Sequence, residues 1–200
     1  EYGTPSSRTP WRSCREASVV LFPSGMSIPE LESSLALSGS YRARQIYRWI
    51  VNGALAFSVM TDLSEAERAR LSAIFPSLYS STVDGMESDT DGSLKQRVRL
   101  RDGAAVECVL LRDIRGRTTA CLSTQAGCPM GCTFCKTGTL GFLRNLGKDE
   151  ILEQYRHLSA RRPGISNVVF MGMGEPLLNL EAVRGAIGIL LDSSGICMSV

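Results

Sequence analysis

Cys-Pro-Met-Gly-Cys-Thr-Phe-Cys at residues 128–135 places three thiols inside eight residues, with the spacing C-x3-C-x2-C and an aromatic residue before the last cysteine. A closed structural metal site usually takes four protein ligands. A cluster that is held by three thiolates instead keeps one iron open for a substrate or cosubstrate. The spacing therefore indicates redox chemistry at an iron–sulfur cluster rather than a metal that is held only for structure.

A four-thiolate zinc site is the alternative interpretation of this loop, with Cys121 as the fourth ligand. However, Cys121 falls inside a predicted strand, seven residues before Cys128. The loop also follows the first strand of a predicted β/α series, where β/α barrels place their active sites. The pattern favours the cluster, and a non-catalytic zinc-ribbon module that binds RNA is the alternative from another class.

The composition is that of an ordinary globular protein, with 44% hydrophobic and 21% charged residues. No apolar run approaches the roughly 20 residues of a membrane helix, so we expect no membrane association. An odd number of cysteines, seven, argues against a secreted disulfide framework and favours metal binding in the reducing cytoplasm. A net charge of +2 is too small to indicate a nucleic-acid partner. Nearly all basic residues are arginine, which suits RNA but is also explained by codon usage.

The N-terminal half is predicted to be helical after an irregular extension over residues 1–25. Hydrophobic spacing and two capping boxes predict a small helical module over 26–80, with helices at about 27–37, 41–51 and 64–75. Arg42, Arg44 and Arg48 lie on the polar side of the second helix, which is read either as a solvated face or as an RNA contact.

The rest of the chain changes its period and is predicted to be α/β. Residues 81–93 are rich in Ser, Asp and Gly and read as a linker, and residues 94–113 read as a β-hairpin. Residues 114–200 then follow the order strand, loop, helix, strand, loop, helix, which is the signature of parallel β/α units. The predicted elements are a strand at 118–123, the cysteine loop at 124–147, a helix at 149–160, a strand at 167–171 and a helix at 180–191 capped by Asn179.

A second motif, Met-Gly-Glu-Pro at residues 173–176, follows the second of these strands. Its glycine lets the backbone approach a ligand closely. Its carboxylate, at Glu175, and its backbone polar groups are suited to hold an amino group. Taken alone the motif is weak, because Gly-Glu-Pro is also an ordinary turn.

Together the two motifs resemble those of the radical S-adenosylmethionine (SAM) superfamily. Longer segments are similar to the RlmN family: Gln-Ala-Gly-Cys at 125–128, Gly-Phe-Leu-Arg-Asn-Leu at 141–146 and Met-Gly-Met-Gly-Glu-Pro-Leu-Leu-Asn-Leu at 171–180. The segment 41–46 also resembles the family's N-terminal helical domain. The resemblance covers about residues 28–191. It implies a partial (β/α) radical SAM barrel, truncated on its C-terminal side and preceded by a small helical domain and a β-hairpin.

The resemblance implies that Cys128, Cys132 and Cys135 bind a [4Fe-4S] cluster, whose open iron chelates the amino and carboxylate groups of SAM. Gly174 and Glu175 are expected to contact the methionine moiety of SAM. The family methylates C2 of adenine in 23S ribosomal RNA and in transfer RNA by way of a methylated cysteine. The expected partners are these RNAs and an electron donor such as flavodoxin or ferredoxin, and the expected state is a cytoplasmic monomer.

Two further positions match residues that have roles in the family. Glu107 matches the position assigned as proton acceptor. Cys121 matches the cysteine that helps to resolve the protein–RNA adduct, through a disulfide with the methyl-carrying cysteine. Read alone, Glu107 is the exposed side of a hairpin strand and Cys121 is a buried apolar thiol. Cys14, Cys108 and Cys197 match nothing catalytic, and we expect them to be structural.

The chain departs from the family pattern at its ends. It begins at Glu1 and stops at Val200, before the family's methyl-carrying cysteine, so we expect an N-terminal fragment that is poorly soluble and cannot methylate RNA alone. Cys197 does not match that cysteine. The nearest alternative is the sister Cfr-type activity at adenine C8, which shares the cluster motif. His157, the only histidine, is expected at the surface of a helix rather than at a metal.

Overall fold

The computed structural model describes residues 22–198. Most of the predicted extension, including Cys14, therefore lies outside the described residues. The element order begins with three α-helices, continues with a run of antiparallel strands, and ends with strands that alternate with helices. The predicted α/β class is confirmed.

The helical module consists of α1 (Ile28–Ser34), α2 (Ser40–Val51) and α3 (Glu65–Ile74). At the start of α1, the Glu30 carboxylate accepts the Ser27 N–H at 2.7 Å, as in a capping box. The helix ends earlier than predicted, and Ala36 just beyond it takes a left-handed φ of 47°. The apolar residues of α2 fall at helical spacing and are buried in a core of their own: Ala43, Ile46, Tyr47 and Ile50.

The predicted linker over residues 81–93 is wrong, because most of it forms the strand β1 (Thr82–Ser88). This strand pairs antiparallel with β2 (Leu94–Arg99). Asp84 and Gly85 read as turn residues, and most of the strand is exposed, so no hydrophobic alternation marks it. The Asp84 carboxylate accepts hydrogen bonds from Arg97 Nε at 2.7 Å and from Arg99 Nε at 2.6 Å, and these charged contacts help to hold the edge strand.

One five-stranded sheet carries the rest of the fold, in the order β1-β2-β3-β4-β7. The predicted hairpin is confirmed as β2 and β3 (Ala105–Arg112), and β3 pairs antiparallel with β4 (Thr118–Cys121). Among the strands of residues 22–198, β4 and β7 (Asn167–Val169) are the one parallel pair, and the helix between them in sequence is α5 (Lys148–Arg161). A final helix, α6 (Leu180–Leu191), packs beside α5 against the core.

Helix α5 is buried on two sides, because it packs on the sheet and also supports the helical module. Ile151, Leu152 and Leu158 belong to the core of the sheet. On the other side, the fully buried Glu153 carboxylate accepts hydrogen bonds from Ser24 Oγ at 2.6 Å, from Ser80 N at 2.7 Å and also from Ser81 Oγ. The buried guanidinium of Arg156 donates to the carbonyls of Ser24 at 3.1 Å and Ile50 at 2.9 Å, which fixes the module on the helix.

The prediction that His157 lies at the surface is wrong. The side chain is partly buried on α5, where one ring nitrogen lies 3.1 Å from Ser81 Oγ and the ring packs beside Tyr79. Burial lowers the pKa of His157 to about 4. The sequence pattern of α5 marks only the face toward the sheet, so it does not reveal that the opposite face is covered by the helical module.

Candidate active site

The sequence-predicted site residues lie at one edge of the sheet, where the parallel strands β4 and β7 end. In α/β folds, ligands bind outside the carboxyl ends of parallel strands. Strand β4 leads through Ser123 and Thr124 into the cysteine loop, and β7 leads into the loop over residues 171–175. Cys121 is the last residue of β4 and pairs with Val169 of β7, so the two loops leave the sheet side by side.

The cysteine loop is closed at its base by a small second sheet that sequence patterning did not reveal. Within the predicted loop over 124–147, β5 (Gln125–Gly127) pairs antiparallel with β6 (Phe142–Asn145), and one short helix, α4 (Lys136–Thr139), lies between them. Gly127 has a φ of +77°, and a Cβ there would overlap the carbonyl oxygen of Gly141. Only glycine therefore allows the two ends of the loop to meet so closely.

The three cysteines lie between β5 and α4 as free thiols. Cys132 is exposed, and Cys128 and Cys135 are half-buried. Backbone N–H groups of Gly138 and Thr137 lower the pKa of the Cys135 thiol, which favours the thiolate that iron binds. Phe134 beside them is 91% exposed.

Within residues 22–198, no three His, Cys, Asp or Glu side chains stand close enough together to hold a metal ion. The donor set nevertheless fits a cluster with three protein ligands, because three free thiols share one open loop and thiolates are the ligands that such clusters take. Cys121 stands apart on β4, half-buried, and burial raises the pKa of its thiol.

The loop over residues 171–175 is attached to the strand that leads into the cysteine loop. The carbonyl of Met173 accepts the N–H groups of Thr124 at 2.8 Å and Gln125 at 3.2 Å. The Met173 N–H donates to Ser123 Oγ at 2.8 Å, and the Glu175 N–H donates to Gln125 Oε1 at 2.9 Å. The N–H groups of Met173 and Glu175 thus bind side chains, while the Met173 carbonyl binds backbone.

The Glu175 carboxylate is partly exposed, and Oε1 accepts the Leu177 N–H at 3.1 Å at the start of a 3-10 turn, Pro176–Asn179. Asn179 is the N-cap residue of the following helix, as predicted, but its side chain makes no capping hydrogen bond. The buried Asn179 amide instead donates to the carbonyls of Thr124 and Leu146, both at 2.8 Å. These carbonyls flank β5 and β6, so Asn179 ties both ends of the cysteine loop to the turn after Glu175.

Glu107 lies at the same edge, on the exposed face of β3. Its backbone N–H points at the sulfur of Met173 at 3.4 Å, and its carbonyl accepts the Ser123 hydroxyl at 2.6 Å. The carboxylate is 51% exposed and stands 3.5 Å from Lys95 Nζ. The structure therefore brings Glu107, Cys121, the cysteine loop and Glu175 to one edge of the sheet.

Two predictions about the cysteines have different outcomes. Cys108 is buried in the sheet core, as expected for a structural thiol, and burial raises its pKa to about 12. No disulfide joins the six cysteines found in the described part of the chain, and the disulfide expected between Cys121 and the family's methyl-carrying cysteine stays a prediction. In the same residues, no helix is both long and apolar enough to cross a membrane.

Comparison with known families assigns both halves of the chain. Residues 122–198 match the radical SAM superfamily, and residues 25–76 match the ribosomal RNA large subunit methyltransferase N-terminal domain. A solved radical SAM methyltransferase from Sphaerobacter thermophilus superposes with a TM-score of 0.83 at 36% identity, covering 90% of this chain and 54% of that chain. The fold and the cysteine loop thus define a radical SAM protein, whose cofactors are a [4Fe-4S] cluster and SAM.

Comparison with curated relatives assigns the chain to one family within this superfamily. The dual-specificity RNA methyltransferase RlmN of Oleidesulfovibrio alaskensis is 45% identical over 166 residues, which are 80% of this chain and 46% of that protein. The RlmN of Geobacter sulfurreducens is 42% identical over 184 residues, 88% of this chain and 49% of that protein. The chain belongs to the RlmN family. It spans about half the length of the curated relatives it matches.

Proposed function

We propose that the protein carrying this chain is a radical SAM RNA methyltransferase that methylates C2 of adenine in 23S ribosomal RNA and in transfer RNA. The observation that supports the proposal is that a loop with three free thiols and the loop with Gly174 and Glu175 follow neighbouring parallel strands and are joined through Gln125, in an RlmN family member. Its curated relatives are named as dual-specificity RNA methyltransferases.

Cys128, Cys132 and Cys135 would hold the cluster, and the Gly174-Glu175 loop would bind the methionine end of SAM. When bound, the cluster and SAM supply the one-electron chemistry that generates a carbon radical. Glu175 offers a carboxylate for the amino group of SAM, with Oε1 held by the Leu177 N–H. The loop backbone is immobilised by its bonds to Ser123 and Gln125, so it can orient a ligand without reorganising.

We propose that Glu107 and Cys121 act in the later steps. The exposed Glu107 carboxylate, at the edge of the site, would accept a proton from the adenine that is being methylated. Cys121 lies half-buried at the end of β4, where its thiol would help to release the covalent protein–RNA adduct by bonding to the methyl-carrying cysteine.

The helical module provides a surface for RNA. Tyr41, Arg44 and Arg48 follow one another at helical spacing on α2 and are exposed. Arginine guanidinium groups bind phosphates, and an exposed aromatic ring can stack on a base. We propose that this face contacts the substrate RNA, that flavodoxin or ferredoxin delivers the electron, and that the protein acts as a cytoplasmic monomer.

Mass spectrometry of modified adenosine tests the function directly. We expect 2-methyladenosine in 23S ribosomal RNA and transfer RNA from cells that lack their own enzyme and carry the full-length gene. The 200-residue chain alone should produce none, since the methyl-carrying cysteine of the family is not among its residues. Detection of 8-methyladenosine in place of the 2-methyl isomer would show that the Cfr-type reaction is the correct one.

A further inference from the structure

The side chains of Gln125 and Asn145 form a continuous chain of hydrogen bonds beneath the cysteine loop. Gln125 Oε1 accepts the N–H of Glu175 at 2.9 Å. Gln125 Nε2 donates to Asn145 Oδ1 at 2.8 Å, and Asn145 Nδ2 donates to the carbonyl of Leu178 at 3.2 Å. The chain therefore begins and ends on the segment that contains Glu175.

The two amides lie on the strands that close the cysteine loop. Gln125 is in β5 and Asn145 is directly opposite it in β6. Gln125 is 1% exposed, so water cannot replace its hydrogen bonds, whereas Asn145 is exposed. One set of bonds thus joins the base of the cysteine loop to the loop that carries Glu175.

Each amide has only one workable orientation. The Glu175 N–H is a donor, so it must face the oxygen of Gln125, which leaves the Gln125 nitrogen facing Asn145. Asn145 must then present its oxygen to Gln125 and its nitrogen to the Leu178 carbonyl. Because the orientation of each amide depends on the one before it, the direction of donation is the same along the whole series of hydrogen bonds.

Gly174 packs directly on Gln125. Its φ is +97°, and a Cβ there would lie 2.5 Å from Gln125 Cβ. The glutamine therefore fixes the loop in two ways, by a hydrogen bond to Glu175 and by close contact with Gly174. Neither Gln125 nor Asn145 touches the reacting atoms, so both act through the residues that they hold.

We propose that Gln125 and Asn145 are positioning residues that hold the SAM-binding loop in register with the cysteine loop. This inference rests on the proposed function, since it takes Gly174 and Glu175 to bind SAM. By joining the base of the cysteine loop to the segment 175–178, the pair would fix how the groups that hold the cluster and those that bind SAM lie relative to one another. A register error should therefore weaken SAM binding and leave the cluster itself intact.

Gln125→Glu is the sharpest test, because it keeps the shape of the side chain. The carboxylate still accepts the Glu175 N–H, but its second oxygen then faces Asn145 Oδ1, and turning Asn145 over only moves the clash to the Leu178 carbonyl. Asn145→Asp keeps the acceptor for Gln125 Nε2 but sets a carboxylate oxygen against the Leu178 carbonyl; because this site is exposed, water can separate the two, so the effect should be smaller. Gln45→Glu, in the helical module, is the matched control.

The measurements are made on the anaerobically reconstituted full-length protein. We expect Gln125→Glu to raise the dissociation constant for SAM by about tenfold or more. Asn145→Asp should raise it by less, and Gln45→Glu should leave it unchanged. Iron and sulfide contents should equal those of the wild type. The change that SAM causes in the electron paramagnetic resonance spectrum of the reduced cluster should need correspondingly more SAM.

Three outcomes would overturn the proposal. Equal SAM affinity of Gln125→Glu and the wild type shows that the amide chain positions nothing, while the proposed function stands. Loss of iron in step with SAM binding in both variants shows a general structural role instead. A wild-type protein that reconstitutes no cluster overturns the proposed function and this inference together.

Discussion

Replacing Gly174 with alanine should strongly reduce the affinity for SAM. The residue has a φ of +97°, which costs a residue with a Cβ roughly 1–2 kcal/mol. The added methyl group would also lie 2.5 Å from Gln125 Cβ, so the loop must move away from β5. We expect the dissociation constant for SAM to rise by about a hundredfold, measured by equilibrium dialysis on the reconstituted full-length protein.

Gly53→Ala separates backbone strain from the steric clash. Gly53 has a similar φ of +86°, but a Cβ there meets nothing within 4 Å. This variant should lose about 1 kcal/mol of stability and bind SAM as the wild type does. Normal SAM affinity of the Gly174→Ala variant would show that the loop does not form the binding site.

The second large effect is expected at Glu153, where the helical module meets α5. Glu153→Ala leaves the hydroxyls of Ser24 and Ser81 and the N–H of Ser80 without their acceptor, and it also removes a negative charge near the buried Arg156. Each buried donor left without an acceptor costs about 1–3 kcal/mol, so we expect a loss of several kcal/mol. We expect the midpoint of thermal unfolding, followed by circular dichroism, to fall by about 10 °C.

Glu181→Ala provides the comparison, because Glu181 is an exposed glutamate on α6. Its substitution should change the midpoint by no more than about 2 °C. A Glu153→Ala protein that unfolds at the wild-type midpoint would show that the helical module does not depend on this network for its attachment.

The pH dependence of this interface follows from the direction of the pKa shift. Burial is the largest cause that raises the pKa of Glu153, so the folded protein favours its protonated form more than the unfolded chain does. The contribution of this group to stability is therefore greatest below the unfolded-state pKa and declines as pH rises through the folded-state value. Hydrogen bonds from Ser24, Ser80 and Ser81 partly offset the cost of burying the charge.

Individual helices and strands could be predicted from the sequence where a local pattern was strong. The Ser27 capping box, the apolar spacing of α2 and the turn between β2 and β3 each predicted an element that the structure contains. Strand β1 was missed because an exposed edge strand needs little hydrophobic alternation. Its pairing depends on backbone hydrogen bonds and on Asp84, whose partners lie more than ten residues away.

The residues expected to bind the cluster and SAM could be predicted from the sequence, but the residues that hold those two loops in place could not. The cysteine spacing and the Gly-Glu-Pro motif are local patterns, so sequence alone could identify them. Gln125 and Asn145 stood inside the quoted motifs without a role, because their function depends on pairing between β5 and β6. Asn179 was predicted correctly as the N-cap of α6, but its side-chain partners were not predictable, because Thr124 and Leu146 are brought to it only by folding.

Metal and sulfide analysis of the anaerobically reconstituted protein, with its absorbance spectrum, tests the central claim most directly. We expect a brown protein with about four irons and four sulfides. A variant with Cys128, Cys132 and Cys135 all changed to alanine should hold none, and Cys121→Ala should hold the full complement. A colourless protein with one zinc and no sulfide, lost also in Cys121→Ala, would contradict the claim and identify a four-thiolate structural site.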